Sequence, residues 1–87
     1  MGYIFTKHAL KKFRDLKLLR ISLTRKQVIK TIKEADDVDN QIDFPKKIAS
    51  RALNKNLILR VVFRIEEDDI IIITFYPAEK GRYYNKI

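Results

Sequence analysis

The stretch Leu57-Ile58-Leu59-Arg60-Val61-Val62-Phe63-Arg64-Ile65-Glu66, then Glu67-Asp68-Asp69, then Ile70-Ile71-Ile72-Ile73-Thr74-Phe75-Tyr76 decides the fold. Two runs rich in β-branched and aromatic residues, joined by a short acidic turn, predict a β-hairpin. Side chains alternate across a strand. Leu57, Leu59, Val61, Phe63 and Ile65 therefore share one face, and Ile58, Arg60, Val62, Arg64 and Glu66 the other. On the return strand, uninterrupted alternation sets Ile71, Ile73 and Phe75 against Ile70, Ile72, Thr74 and Tyr76. One face is core, and the other carries arginines.

Immediately before the hairpin, Asn54-Lys55-Asn56 reads as a turn, because Asn tolerates left-handed backbone angles. Lys47 to Leu53 alternates well enough for a third strand, with Arg51 beside Arg60 and Arg64 on one face. Asp36 to Pro45 clusters Asp and Asn around a residue that cannot donate to a ladder, and is expected to be a loop. Its aspartates lack the glycine and terminal glutamate of a calcium loop.

The N-terminal third has a different period. Ala9, Leu10, Phe13, Leu16 and Leu19 recur at three- and four-residue spacing, which predicts a helix over 7–19 capped by Thr6. Thr24-Arg25-Lys26-Gln27 fits a capping box, with Leu23 stapling against Val28. The second helix carries Val28, Ile29, Ile32 and Ala35 and ends near Asp36. With a short strand at Tyr3-Ile4-Phe5, the order is β-α-α-β-β-β. The expected architecture is α+β, with two helices packed on one face of a three- to four-stranded antiparallel sheet.

At 87 residues, the chain is read as one small domain, 1–87. Its 46% hydrophobic content supports a packed core despite 34% charged residues. It has no cysteine, which removes disulfide frameworks and thiolate catalysis. No apolar run approaches the ~20 residues of a membrane span, and the opening Met1 to Phe5 is too brief for a signal peptide's apolar region. A soluble, cytoplasmic protein is expected.

The formal net charge is +8, and a small basic domain attracts polyanions. The cations concentrate early: Lys7, Lys11, Lys12, Arg14, Lys17, Arg20, Arg25, Lys26, Lys30 and Lys33 precede Glu34 with only Asp15 among them. Such a positive face suits nucleic acid and is equally suited to simple solvation.

Phe5-Thr6-Lys7-His8-Ala9-Leu10, Ile21-Ser22 leading into the Val28/Ile32 helix, the Val-Val-Phe strand, and Ile73-Thr74-Phe75-Tyr76-Pro77-Ala78 through Arg82-Tyr83-Tyr84 resemble BrnT-type proteins. The resemblance extends to uncharacterised domains opening in Lys-His-Ala, and that group is similar to the RelE/ParE superfamily of toxins from toxin–antitoxin pairs. It implies a RelE-like fold and a metal-independent endoribonuclease cleaving mRNA. It also implies a cognate antitoxin, often of ribbon-helix-helix type, with which the chain forms a hetero-oligomer, or a dimer. Where BrnT-type proteins place paired arginines after the last strand, this chain has Tyr76-Pro77 and a tail carrying Lys80, Arg82 and Lys86. Either the upstream arginines and Tyr76 serve catalysis, or the active site is lost.

Metal-free RNA cleavage needs a base for the 2′-hydroxyl, cations for the phosphorane and an acid for the leaving oxygen. His8 is the one histidine, and imidazole is the side chain most often used as a general acid or base. Arg60 and Arg64 supply phosphate-matching donors, and Tyr76 a hydroxyl. These four are the candidate catalytic residues, with Lys7, Lys11, Lys12, Arg51, Lys80 and Arg82 as candidate nucleic-acid contacts. Each has a structural counterpart: His8 as a hydrogen-bonder, the arginines as partners of Glu66, Glu67 or Asp68, and Tyr83 and Tyr84 as packing rather than stacking groups. Neither reading calls for a metal or cofactor. The alternative function is a non-catalytic module that binds nucleic acid or a protein partner.

Overall fold

The computed structural model describes residues 2–40 and 46–81. The order is β1 (Tyr3–Phe5), α1 (Lys7–Leu18), α2 (Arg25–Lys33), β2 (Asp37–Asp39), β3 (Lys47–Ala52), β4 (Leu57–Glu66) and β5 (Asp69–Glu79). The architecture is α+β, and its sheet has five strands in the order β1-β5-β4-β3-β2. Two features correct the expected antiparallel meander. β1 runs parallel to β5, with Tyr3, Ile4 and Phe5 opposite Ile70, Ile71 and Ile72. The segment expected to be a loop supplies β2, pairing antiparallel to β3 through Asp37–Ser50, Val38–Ala49 and Asp39–Ile48. An Asp-Val-Asp strand has poor β-propensity, but charged residues are the usual protection of a sheet edge. Residues 41–45, including Pro45, lie outside the described residues.

The hairpin at 57–76 forms, with a β-bulge that changes its faces. Val62 pairs with Thr74 while Phe63 pairs with Ile72, so Ile73 has no opposite number on β4. The extra residue inverts the alternation beyond it. Phe75, Ile72 and Ile70 consequently share the core face with Leu59, Val61 and Phe63. The expected core role of Ile71 and Ile73 passes to Ile70 and Ile72. The carbonyl of Ile73 accepts the Thr6 hydroxyl at 2.9 Å, and Thr6 N–H donates to the Ile72 carbonyl. The same Thr6 oxygen accepts the Ala9 N–H, so one side chain caps α1 and anchors it to the bulge.

Both helices pack on that face, α1 against β5 and β1, α2 against β4 and β3. Ala9 and Leu16 of α1 and Val28 of α2 are buried. Burying side chains such as Phe75, Leu59, Ile72 and Val61 contributes about 1.5–3 kcal/mol each. Phe13 lies 4.7 Å from Phe75 and 5.8 Å from Phe5, measured between ring centroids, which locks the aromatic centre of the core. Thr31 is buried in the α2 stripe, its hydroxyl donating to the Gln27 carbonyl. The helical periodicity misplaces Leu10 and Leu19, which are 40% and 70% exposed, and Ile65 overhangs the core at 49%.

The expected capping box at Thr24 and Gln27 is present. α2 stops at Lys33 rather than near Asp36. The turn at Asn54 forms by another route than left-handed backbone: its side-chain oxygen accepts the N–H groups of Asn56 and Leu57. Positive φ occurs instead at Arg20 and Glu67. No helix among the described residues is long and apolar enough to cross a membrane.

Candidate functional site

Because Leu59, Val61 and Phe63 face the helices, Arg60, Val62 and Arg64 project from the opposite face of β4. Arg60 stands there in a cross-strand row with Ser50 on one side and Tyr76 on the other. Its guanidinium Nε donates to the Tyr76 hydroxyl at 3.1 Å, and only 7% of the residue is exposed. Ser50 is fully buried, and its Oγ has no hydrogen-bond partner among the described residues. Arg64 is committed to its own strand: its Nε donates to Glu66 Oε2 at 2.9 Å.

Arg51 does not join this group. It pairs in register with Leu59, so it lies on the helix side, where its Nη2 is 3.9 Å from Glu34 Oε1 at the end of α2. This corrects the expectation that Arg51, Arg60 and Arg64 share a face. His8 belongs to the first turn of α1 and is exposed, and its side chain makes no hydrogen bond or ion pair among the described residues. It is in the helical layer, whereas Arg60, Arg64 and Tyr76 occupy the side of the sheet turned away from that layer. Among the described residues no group of three or more His, Asp or Glu side chains is placed to hold a metal ion.

Of the cationic candidates of α1, Lys7 and Lys11 come together, with neighbours outside the expected set, while Lys12 does not join them. Lys7, Leu10, Lys11 and Arg14 line a depression of about 290 Å³. Leu10 and Arg14 also line a larger open groove of about 670 Å³, completed by Phe13, Lys17, Ser22, Leu23 and Arg25. The two cavities thus adjoin along one side of α1. Phe13 and Leu23 are half-buried, while Arg14, Lys17, Ser22 and Arg25 are exposed, so the groove has an apolar floor and a cationic rim. The Arg25 guanidinium rests 5.5 Å from the Phe5 ring centroid, which tethers the far side of the rim to the core.

Arg14, Lys17, Ser22 and Arg25 are absent from the expected contacts, and Leu10, Phe13 and Leu23 are expected only as core or staple residues. The available signal was the spacing of Lys7, Lys11, Arg14 and Lys17, which runs three and four residues apart along one helix surface. That the loop after α1 would return Ser22 to Arg25 beside that surface is a property of the packing. Lys12 is half-buried on α1 and lines neither cavity. Lys80 stands apart at the β3–β4 turn, where its N–H donates to Asn56 and its side chain borders a cavity with Lys55. Arg82, with Tyr83, Tyr84 and Lys86, lies outside the described residues.

Comparison with protein-family models, curated proteins and solved structures finds no match to this chain.

Proposed function

We propose that this protein is a nucleic-acid-binding module whose phosphate contacts run along α1 and across the mouth of the α1–α2 groove. The observation that carries the reading is the pair of adjoining cavities lined by Lys7, Lys11, Arg14, Lys17 and Arg25 with no acidic residue. These five cations have no ion pair with a carboxylate among the described residues, so their charge is available to an external polyanion. Each phosphate neutralised releases condensed counterions, which favours association at moderate ionic strength. RNA, and a cytoplasmic setting, fit this reading.

The test is a fluorescence-anisotropy titration of labelled RNA and DNA oligonucleotides with the full chain, repeated with Lys11→Gln, Arg14→Gln and Lys17→Gln combined. Wild-type protein binds with salt-sensitive affinity, and the triple variant loses at least ten-fold. Undiminished binding by the triple variant refutes the assignment.

A second reading is supported by the Arg60–Tyr76 hydrogen bond on the opposite face. There a guanidinium and a phenol lie side by side, the pairing that a metal-independent endoribonuclease toxin would use on a phosphate, with an antitoxin partner restraining it. His8, with no contact to that pair, is not its acid–base partner in the observed geometry. Inducing the protein without its genomic neighbours and measuring growth and RNA integrity, for wild type, His8→Ala and Arg60→Ala, decides the matter. Intact RNA and unchanged growth reject this reading and leave the binding module.

A further inference from the structure

We infer that the α1–α2 groove selects single-stranded nucleic acid, seating one unstacked base on Leu10, Phe13 and Leu23 while Arg14, Lys17 and Arg25 hold the flanking phosphates. The inference rests on the nucleic-acid reading above and adds the form of the strand. A rim of cations alone would serve a duplex equally well, since a duplex offers phosphates on its outside and keeps its bases stacked. The groove has a second component that a duplex cannot use. Its floor is apolar and partly aromatic, and its volume of about 670 Å³ lies in the range of cavities that hold small molecules. Binding of single strands combines these two elements, a cationic groove for the backbone and an apolar or aromatic platform for bases.

The platform is rigid before anything binds. Phe13 is wedged between Phe5 and Phe75, so its ring is already fixed and gives up little freedom to a ligand. Leu10 is 40% exposed on α1, so a base seated on it covers apolar surface that the fold leaves open. Ser22 places an exposed hydroxyl on the wall, within the same cavity, as a hydrogen-bonding group for a base edge. The adjoining depression at Lys7 and Lys11 continues the cationic path beyond the base seat. The strand's backbone therefore tracks α1 with one base turned inward.

The experiment compares a 12-nucleotide single-stranded RNA with the blunt duplex of the same sequence, by anisotropy, using the full chain. A second single strand carries 2-aminopurine at its centre, a base whose fluorescence rises when it leaves the stack. Leu10→Ala is the informative variant, because Leu10 is already 40% exposed and its truncation spares the core. The inference predicts at least ten-fold tighter binding of the single strand and a rise in 2-aminopurine fluorescence. It also predicts a loss of about five-fold or more for the single strand alone with Leu10→Ala. Equal affinity for strand and duplex, with Leu10→Ala indistinguishable from wild type, overturns the inference and leaves the nucleic-acid reading standing. Binding of neither overturns both. Equal binding of a poly-glutamate peptide also overturns both, and would identify the groove as a site for acidic protein segments.

Discussion

Ile71 and Ile72 are neighbours of identical chemistry on opposite faces of β5, and the bulge at Ile73 decides which of them meets the core. Ile72 is fully buried in the core beneath the helices, whereas Ile71 is half-buried on the other face, opposite Arg64 and beside Ile4. Truncation of Ile to Ala removes three carbon groups, which at about 0.8 kcal/mol each amounts to ~2.4 kcal/mol of transfer energy when burial is complete. The cavity left behind brings the expected cost of Ile72→Ala into the range of about 2–5 kcal/mol. Half-burial reduces the transfer energy for Ile71→Ala to about 1 kcal/mol. Urea unfolding followed by circular dichroism measures both. A gap of ~1.5 kcal/mol or more is expected, equivalent to roughly 6–12 °C in Tm for a domain of this size. Since the total stability expected for such a chain is only about 4–13 kcal/mol, Ile72→Val, costing about 0.5–1.5 kcal/mol, provides a variant certain to remain measurable. A larger loss at Ile71 than at Ile72 would refute the bulge and restore uninterrupted alternation.

Other consequences are equally specific. Arg20 sits at the left-handed position ending α1, at φ 64°, with its N–H on the Lys17 carbonyl and that of Ile21 on the Leu16 carbonyl. Arg20→Gly should stabilise the fold by about 0.5–1 kcal/mol in thermal unfolding, and Arg20→Ala, which keeps a Cβ there, should give no gain. Ser50→Ala removes a buried hydroxyl that has no partner among the described residues and should raise stability by about 1 kcal/mol in urea titration; a loss would show that the hydroxyl is satisfied. Arg64→Ala should cost under about 1 kcal/mol, its pair with Glu66 being solvated. Arg60→Ala, which breaks a buried charged hydrogen bond, should cost about 1.5–3 kcal/mol in the same assay.

The residues that announced themselves in the sequence were those acting locally. Thr6 and Thr24 cap their helices as read, because capping is settled within three residues. The β4–β5 hairpin follows from its density of β-branched residues. What escaped depends on distant partners. Four consecutive isoleucines, 70–73, contain no polar residue to mark a change of face, so the bulge was silent. Tyr3-Ile4-Phe5 is too short to encode direction, and its parallel pairing is set by the return of the chain through β5. Asp37-Val38-Asp39 is a strand only because β3 offers it an edge. Arg51 changed faces because the alternation of β3 cannot by itself say which set meets the helices. At the candidate site, the lysines of α1 were legible as a charged surface, while Ser22, Leu23 and Arg25 joined them through the fold of the inter-helix loop.

Whether nucleic acid is held along α1 and at the mouth of the α1–α2 groove is read out by mapping where it touches the chain. Uniformly ¹⁵N-labelled protein is titrated with a 12-nucleotide single-stranded RNA, and amide shift changes are followed residue by residue. The largest changes are predicted from Lys7 to Lys17 and from Ser22 to Arg25, fading as salt is raised. Changes centred instead on Ser50, Arg60, Arg64 and Tyr76, with α1 unmoved, would contradict it and move the site to the opposite face of the sheet.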